Sequence, residues 1–183
     1  IAAQRSQMPE ALYRWEWQSG RLLKTKGDRE SAIAAYRRAV QTMQPIRNDV
    51  SLGYGNGMTP LSFRESQGPL FFELADLLLQ QAKSATDPQR EQNLLLEARD
   101  TVERLQTVEL EEYFCDDCVD VLRTKTRAIE AVDEHTAVVY LIPLPTRTEV
   151  LVGLTSGLKR FTTDVGADAL TAEVRQFRRN LET

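Results

Sequence analysis

Trp17-Gln18-Ser19-Gly20-Arg21-Leu22-Leu23-Lys24-Thr25-Lys26-Gly27-Asp28 leads into Ala32-Ile33-Ala34-Ala35-Tyr36-Arg37-Arg38-Ala39, and this stretch decides the fold. Gly20, Ala32 and Ala39 are the small residues needed where two helices cross closely. Tyr36 is a ring large enough to fill the space they leave. Gly27 tolerates a left-handed backbone and closes a first helix. Asp28 can accept hydrogen bonds from the exposed amides that open a second. The predicted unit is a helix–turn–helix pair, and nothing in it implies catalysis.

Working outward, the first helix runs from about Pro9 to Lys26. Proline is tolerated in a first turn, where its missing N–H has no partner to lose. The second helix spans about Arg29 to Gln44 and stops before Pro45. Its Ile33, Tyr36, Val40 and Met43 recur at helical spacing and form one apolar stripe. Pro45 to Ser62 reads as a loop rich in Gly and Asn. A third helix begins at Phe63 or at Pro69 and reaches Ala82, with Gly68-Pro69 either starting or kinking it. Asp87-Pro88 supplies a cap and a first-turn proline for a fourth helix, which runs to about Gln106. Leu94, Leu95, Ala98, Val102 and Leu105 form its inward face. Glu91, Leu95 and Ala98 echo the spacing of Ala32, Tyr36 and Ala39, as in a second, degenerate copy of the first pair. Stacked repeats need neighbours to bury their end faces. The segment Glu109 to Phe114 and the C-terminal part are expected to provide them.

The texture changes after Glu134. Thr136-Ala137-Val138-Val139-Tyr140-Leu141-Ile142 is a β-branched and aromatic run typical of a strand. Glu149-Val150-Leu151-Val152-Gly153-Leu154 is a second, and Leu158 to Val165 a third, reached through the hairpin turn Ser156-Gly157. Short connections favour an antiparallel meander. A last helix, about Asp168 to Leu181, places Leu170, Val174, Phe177 and Leu181 on one face. The fold class is α+β: antiparallel helix pairs, a short β-meander and a C-terminal helix. The expected boundaries are 1–107 for the helical repeats, 108–135 for a connector and 136–183 for the β-containing unit.

The chain has 183 residues, 42% hydrophobic and 27% charged, the composition of a soluble globular protein. A net charge of −4 argues against a dedicated nucleic-acid binder. No apolar run approaches the ~20 residues of a membrane span. Two cysteines cannot build a disulfide framework. The sequence opens on Ile1 with no signal-peptide layout, so a piece of a longer protein is expected, with the cytoplasm as the favoured compartment.

The helical part resembles tetratricopeptide-repeat proteins. The stretch Glu109-Leu110-Glu111-Glu112-Tyr113-Phe114-Cys115-Asp116-Asp117-Cys118-Val119, taken with Thr136-Ala137-Val138-Val139-Tyr140 and Gly157-Leu158-Lys159-Arg160-Phe161, resembles the junction into a CHAT domain. That is a caspase-like peptidase domain found after such repeats, mostly in bacteria and notably cyanobacteria. The repeat pattern has departures: Glu16 and Ser19 stand where it expects Trp and Leu, and Trp17 and Pro45 each come one place late. The resemblance implies that residues 136–183 form the N-terminal portion of a caspase-like unit. It also implies that the parent protein is a cysteine peptidase. The family's catalytic His and Cys follow strands of its sheet, whereas His135, Cys115 and Cys118 all precede the first strand here. The expected function is a non-catalytic protein–protein interaction scaffold attached to a caspase-like domain. The alternative is the regulatory half of a cysteine peptidase whose His and Cys lie beyond residue 183.

Arg14, Trp17, Arg21 and Lys24 recur at three, four and three residues and share one side of the first helix. First helices of such repeats line the family's concave groove. A basic groove with an aromatic floor suits an acidic peptide or a C-terminal carboxylate. These four residues are therefore the candidate partner-binding set, with a solvated charged face over a packed Trp17 as the plainer reading. Cys115 and Cys118 have C-x-x-C spacing without the four ligands zinc usually takes, and read as structural. Gly53-Tyr54-Gly55-Asn56-Gly57 lacks the Lys and Ser/Thr of a phosphate loop and reads as surface. His135 reads as a connector residue. No cofactor or metal is expected. A homodimer through the β-region is expected, because a three-stranded sheet leaves an edge and apolar residues such as Val139, Leu141 and Val152 exposed.

Overall fold

The computed structural model describes residues 9–50, 66–113 and 136–182. Two antiparallel helix pairs come first: α1 (Pro9–Thr25) with α2 (Arg29–Val50), then α3 (Gly68–Lys83) with α4 (Pro88–Tyr113). A three-stranded antiparallel sheet follows, β1 (Val138–Pro143), β2 (Thr148–Leu154) and β3 (Gly157–Thr163), in the order β1-β2-β3. Helix α5 (Ala167–Leu181) ends the described chain. The architecture is mixed α and β, as the sequence predicts.

The turns are built as their residues dictate. Gly27 has φ +80, its N–H bonds the Lys24 carbonyl at 3.0 Å, and the Asp28 N–H bonds Leu23 at 3.1 Å. This paired closure satisfies carbonyls that the end of α1 would otherwise leave bare. The Asp28 carboxylate then accepts from the Ser31 N–H at 3.1 Å and caps α2. Asp87 does the same for α4, accepting from the Gln89 and Arg90 amides. Helix α3 begins at Gly68, with Pro69 in its first turn.

At the α1–α2 crossing, a Cβ on Gly20 would meet the Tyr36 ring at 2.7 Å. Ala32, Ala35, Tyr36 and Ala39 are fully buried there. Ala39→Leu is expected to overpack this crossing by about 1–3 kcal/mol. An unchanged thermal melt would show that the crossing tolerates bulk. In the second pair Leu95 and Ala98 are buried in the same manner. Helix α3 lies at the centre, with Leu70, Phe71, Leu74, Ala75, Leu77, Leu78, Leu79 and Ala82 all buried. Such a helix is apolar nearly all round because elements cover it on several sides. Ile142, Leu144, Leu151 and Leu158 of the sheet region join the same hydrophobic cluster. Helices and sheet thus share one core.

Three expectations are corrected. Helix α2 does not stop before Pro45 but continues to Val50, so the first residues of the expected 45–62 loop are helical. A proline inside a helix loses one hydrogen bond and crowds the preceding turn. Here the buried stripe Ile33-Tyr36-Val40-Met43 holds the helix up to that point, and packing outweighs the local penalty. Helix α4 runs past Gln106 to Tyr113, so the connector expected from residue 108 begins as helix. The C-terminal helix α5 buries none of its residues, so it supplies no cover for an end of the repeats. The Gly53–Gly57 loop, Cys115, Cys118 and His135 lie outside the described residues.

Candidate functional site

Three of the four candidate partner-binding residues, Trp17, Arg21 and Lys24, reach from α1 to carboxylates of α3. Arg21 makes a forked pair with Glu73, Nη2 to Oε1 at 2.6 Å and Nε to Oε2 at 3.0 Å. The Trp17 indole N–H donates to Glu73 Oε2 at 3.0 Å, and the Arg21 guanidinium lies 4.4 Å from the Trp17 ring centre. The Tyr36 hydroxyl donates to Glu73 Oε2 at 2.7 Å. Lys24 reaches Asp76 at 3.6 Å. Arg14 turns instead to its neighbour Tyr13, donating to the hydroxyl at 3.3 Å. The row is therefore a seam between α1 and α3. Its positive charge is largely matched inside the fold, and Trp17 packs against the core.

Glu73 is the hub of that seam. Partial burial pushes its pKa up, but the hydrogen bonds from Arg21, Tyr36 and Trp17 outweigh burial and hold it below the ordinary value. The same contacts push the Tyr36 hydroxyl upward, through burial first and the neighbouring carboxylate second. Asp76 carries the network on to the sheet, because Arg147 Nη2 donates to Asp76 Oδ1 at 2.6 Å. Arg147 Nε donates to Glu149 Oε1, also at 2.6 Å.

Glu149 is a fully buried carboxylate in the middle strand. Besides Arg147 it accepts from Arg160 through Nε at 2.8 Å and Nη2 at 2.7 Å, and from the Thr162 hydroxyl at 2.7 Å. Burial pushes its pKa up, but these bonds prevail and hold it at about 2. Arg160 Nη1 also donates to the Leu79 carbonyl of α3 at 2.7 Å. The cluster is an ionic rivet between sheet and helices. Sequence reasoning missed it, although Arg147 stands just before β2, two residues from Glu149, and Arg160 sits on the neighbouring strand. That spacing puts all three on one face.

Two further surfaces stand out among the described residues. A cleft of about 360 Å³ opens between α2 and α4 over Leu74, Val40 and Leu96. Arg37 and Glu97 bridge it with two 2.6 Å hydrogen bonds, so its walls are already paired across. The second surface is apolar and open. Val139, Leu141 and Phe161 of the sheet are 54% to 58% exposed, and Val174, Phe177 and Leu181 of α5 are 58% to 70% exposed. Among the described residues no cluster of three His, Cys, Asp or Glu could hold a metal ion. No helix among them is long and apolar enough to cross a membrane. No family model matches the chain, nor does any curated protein or solved structure.

Proposed function

We propose that this chain is a protein–protein interaction module: a non-catalytic helical-repeat scaffold of the tetratricopeptide type, leading into the first part of a caspase-like unit. One observation carries the reading. Two apolar faces, the outer side of the sheet and the stripe on α5, are open to solvent while the polar seams elsewhere are paired internally. Contiguous exposed apolar surface of this kind marks sites that other protein covers. The acidic-peptide role of Arg14, Trp17, Arg21 and Lys24 is the weaker part of the proposal. Binding there has to displace Glu73 and Asp76 from Arg21 and Lys24 first.

A photoreactive phenylalanine analogue at position 177 or 161 tests the module. Protein adducts are expected at both positions in cell extract, and none at the Trp15 control, which is 71% exposed on α1. Equal labelling at all three positions would end the proposal. The purified chain is expected to show no turnover of fluorogenic reporter peptides. Turnover abolished by Cys115→Ser or Cys118→Ser would make it an enzyme instead.

A further inference from the structure

The two open apolar faces are complementary halves of a helix-on-sheet layer. Strand register aligns Val139 with Val152 and Leu141 with Val150 and Phe161. These five side chains therefore share the outer face, opposite Ile142 and Leu151, which face the core. On α5, Leu170, Val174, Phe177 and Leu181 form the matching stripe. The stripe is about 16 Å long at 1.5 Å per residue. Three strands are about 10 Å across, which one helix of about 10–12 Å diameter covers.

Within one chain the halves do not meet. The start of α5 is pinned at the end of the sheet. The Ala167 N–H bonds the Leu144 carbonyl at 2.9 Å, and the Thr148 hydroxyl donates to the Val165 carbonyl at 2.6 Å. Gly166 sits so close to the Pro145 carbonyl that a Cβ would lie 2.3 Å from it. With this root fixed, α5 buries no residue and the sheet face stays bare. An isolated helix of this length is marginal in water without a surface to pack on.

We propose that the surface is a second copy of this chain: α5 of each protomer lies across the outer sheet face of its partner, in a two-fold dimer. Each copy brings one helix stripe and one sheet face, so a two-fold pairing covers both with nothing left over. Any other partner has to supply two different surfaces at once. The area fits as well. Aromatic side chains bury 150–250 Å², so Phe161 and Phe177 each leave on the order of 100 Å² in water. At no more than roughly that value for each of the six exposed residues, Val139, Leu141, Phe161, Val174, Phe177 and Leu181, the two faces together expose about 600 Å² per protomer, the lower end of a standard stable interface. This inference deepens the interaction-module reading and rests on it.

Sedimentation of the full chain over a micromolar range is expected to show a dimer, and Phe161→Glu and Phe177→Glu are each expected to be monomeric. Both positions are exposed in the single chain, so neither change disturbs its core. In a Cys115→Ser, Cys118→Ser background, oxidising a mixture of Leu141→Cys and Phe177→Cys chains is expected to give a crosslinked dimer that joins the two variants. Four results would overturn the proposal. They are a monomer at every concentration, a dimer surviving Phe161→Glu alone (helix pairing with helix), a dimer surviving both charges, or a disulfide at monomer mass in the Leu141→Cys, Phe177→Cys double variant (closure on the chain's own sheet). A monomer that still forms protein adducts at position 177 sinks the dimer and leaves the module reading standing.

Discussion

Glu149→Ala is expected to cost about 3–5 kcal/mol, the loss seen when one partner of a buried ion pair is removed. The carboxylate is fully buried and neutralises two guanidinium groups that are themselves mostly buried. Without it Arg147 keeps Asp76 and Arg160 keeps the Leu79 carbonyl, yet two cations then face each other in the core. Denaturant unfolding measures the effect, and a loss below about 1 kcal/mol would show that water or the neighbours take over the role. Replacing the acid and one base together, as in Glu149→Leu with Arg160→Met, is expected to recover much of the loss, because an apolar pair avoids desolvating charge. The pH dependence has a definite sign. The folded pKa, about 2, lies below the ordinary 4.5, so the unfolded chain takes up the proton first. The stabilisation is fully present above pH 4.5 and declines as pH falls toward 2. Glu149→Gln is expected to flatten that part of the acid-stability profile, and a profile identical to that of the unaltered chain would show that other carboxylates govern it.

Tyr36→Ala is expected to cost a similar amount, about 3–5 kcal/mol, by leaving a cavity where a large ring is fully buried. The residues packed at the crossing are too small to fill it. Gly20 has no side chain, and Ala32, Ala35 and Ala39 of the same helix each have only a methyl. Tyr36→Phe separates packing from hydrogen bonding. It keeps the ring and removes the bond to Glu73, at an expected cost of about 1.5–3 kcal/mol for a bond to a charged group. Equal losses for the two variants would place the whole effect in the hydroxyl. A near-neutral Tyr36→Phe would mean that Arg21 and Trp17 satisfy Glu73 without help.

The helical pairs were legible because their information is local. Gly20, Gly27, Ala32, Tyr36 and Ala39 each need a particular size or backbone angle, and the sequence states both. The strands were legible from their β-branched runs, while the hairpin turn falls one residue earlier than expected, at Thr155-Ser156, with Gly157 paired to Leu154 as the first residue of β3. Pro45 misled because a residue's own preference says nothing about how firmly the preceding turns are packed. The charged row on α1 was correctly placed on one side of the helix, but its counter-charges were not visible. Glu73 lies 52 residues beyond Arg21, and helical spacing does not reveal which neighbour a face meets. Glu149 was hidden for another reason. A charged residue in a strand usually reads as solvent-facing, and only the pairing of β2 with β3 brings Arg160 to its side.

One contact belongs to neither seam and lies on a strand edge. The Gln92 side chain of α4 both donates to the Leu158 carbonyl and accepts from the Leu158 N–H, each at 2.9 Å. A side-chain amide has the same donor and acceptor pair as a peptide group, so here a helix imitates one residue of a fourth strand. The turn beside it is fitted to that imitation: Gly157 has φ +116, and a Cβ there would meet Gln92 Oε1 at 2.8 Å. Bare strand edges are where sheets join edge to edge into fibrous aggregates. By occupying the N–H and C=O of β3 at Leu158, Gln92 takes one of the positions at which another strand would pair on that side. The helix thus interrupts the β3 edge at one point and leaves any added strand a shorter run to pair with.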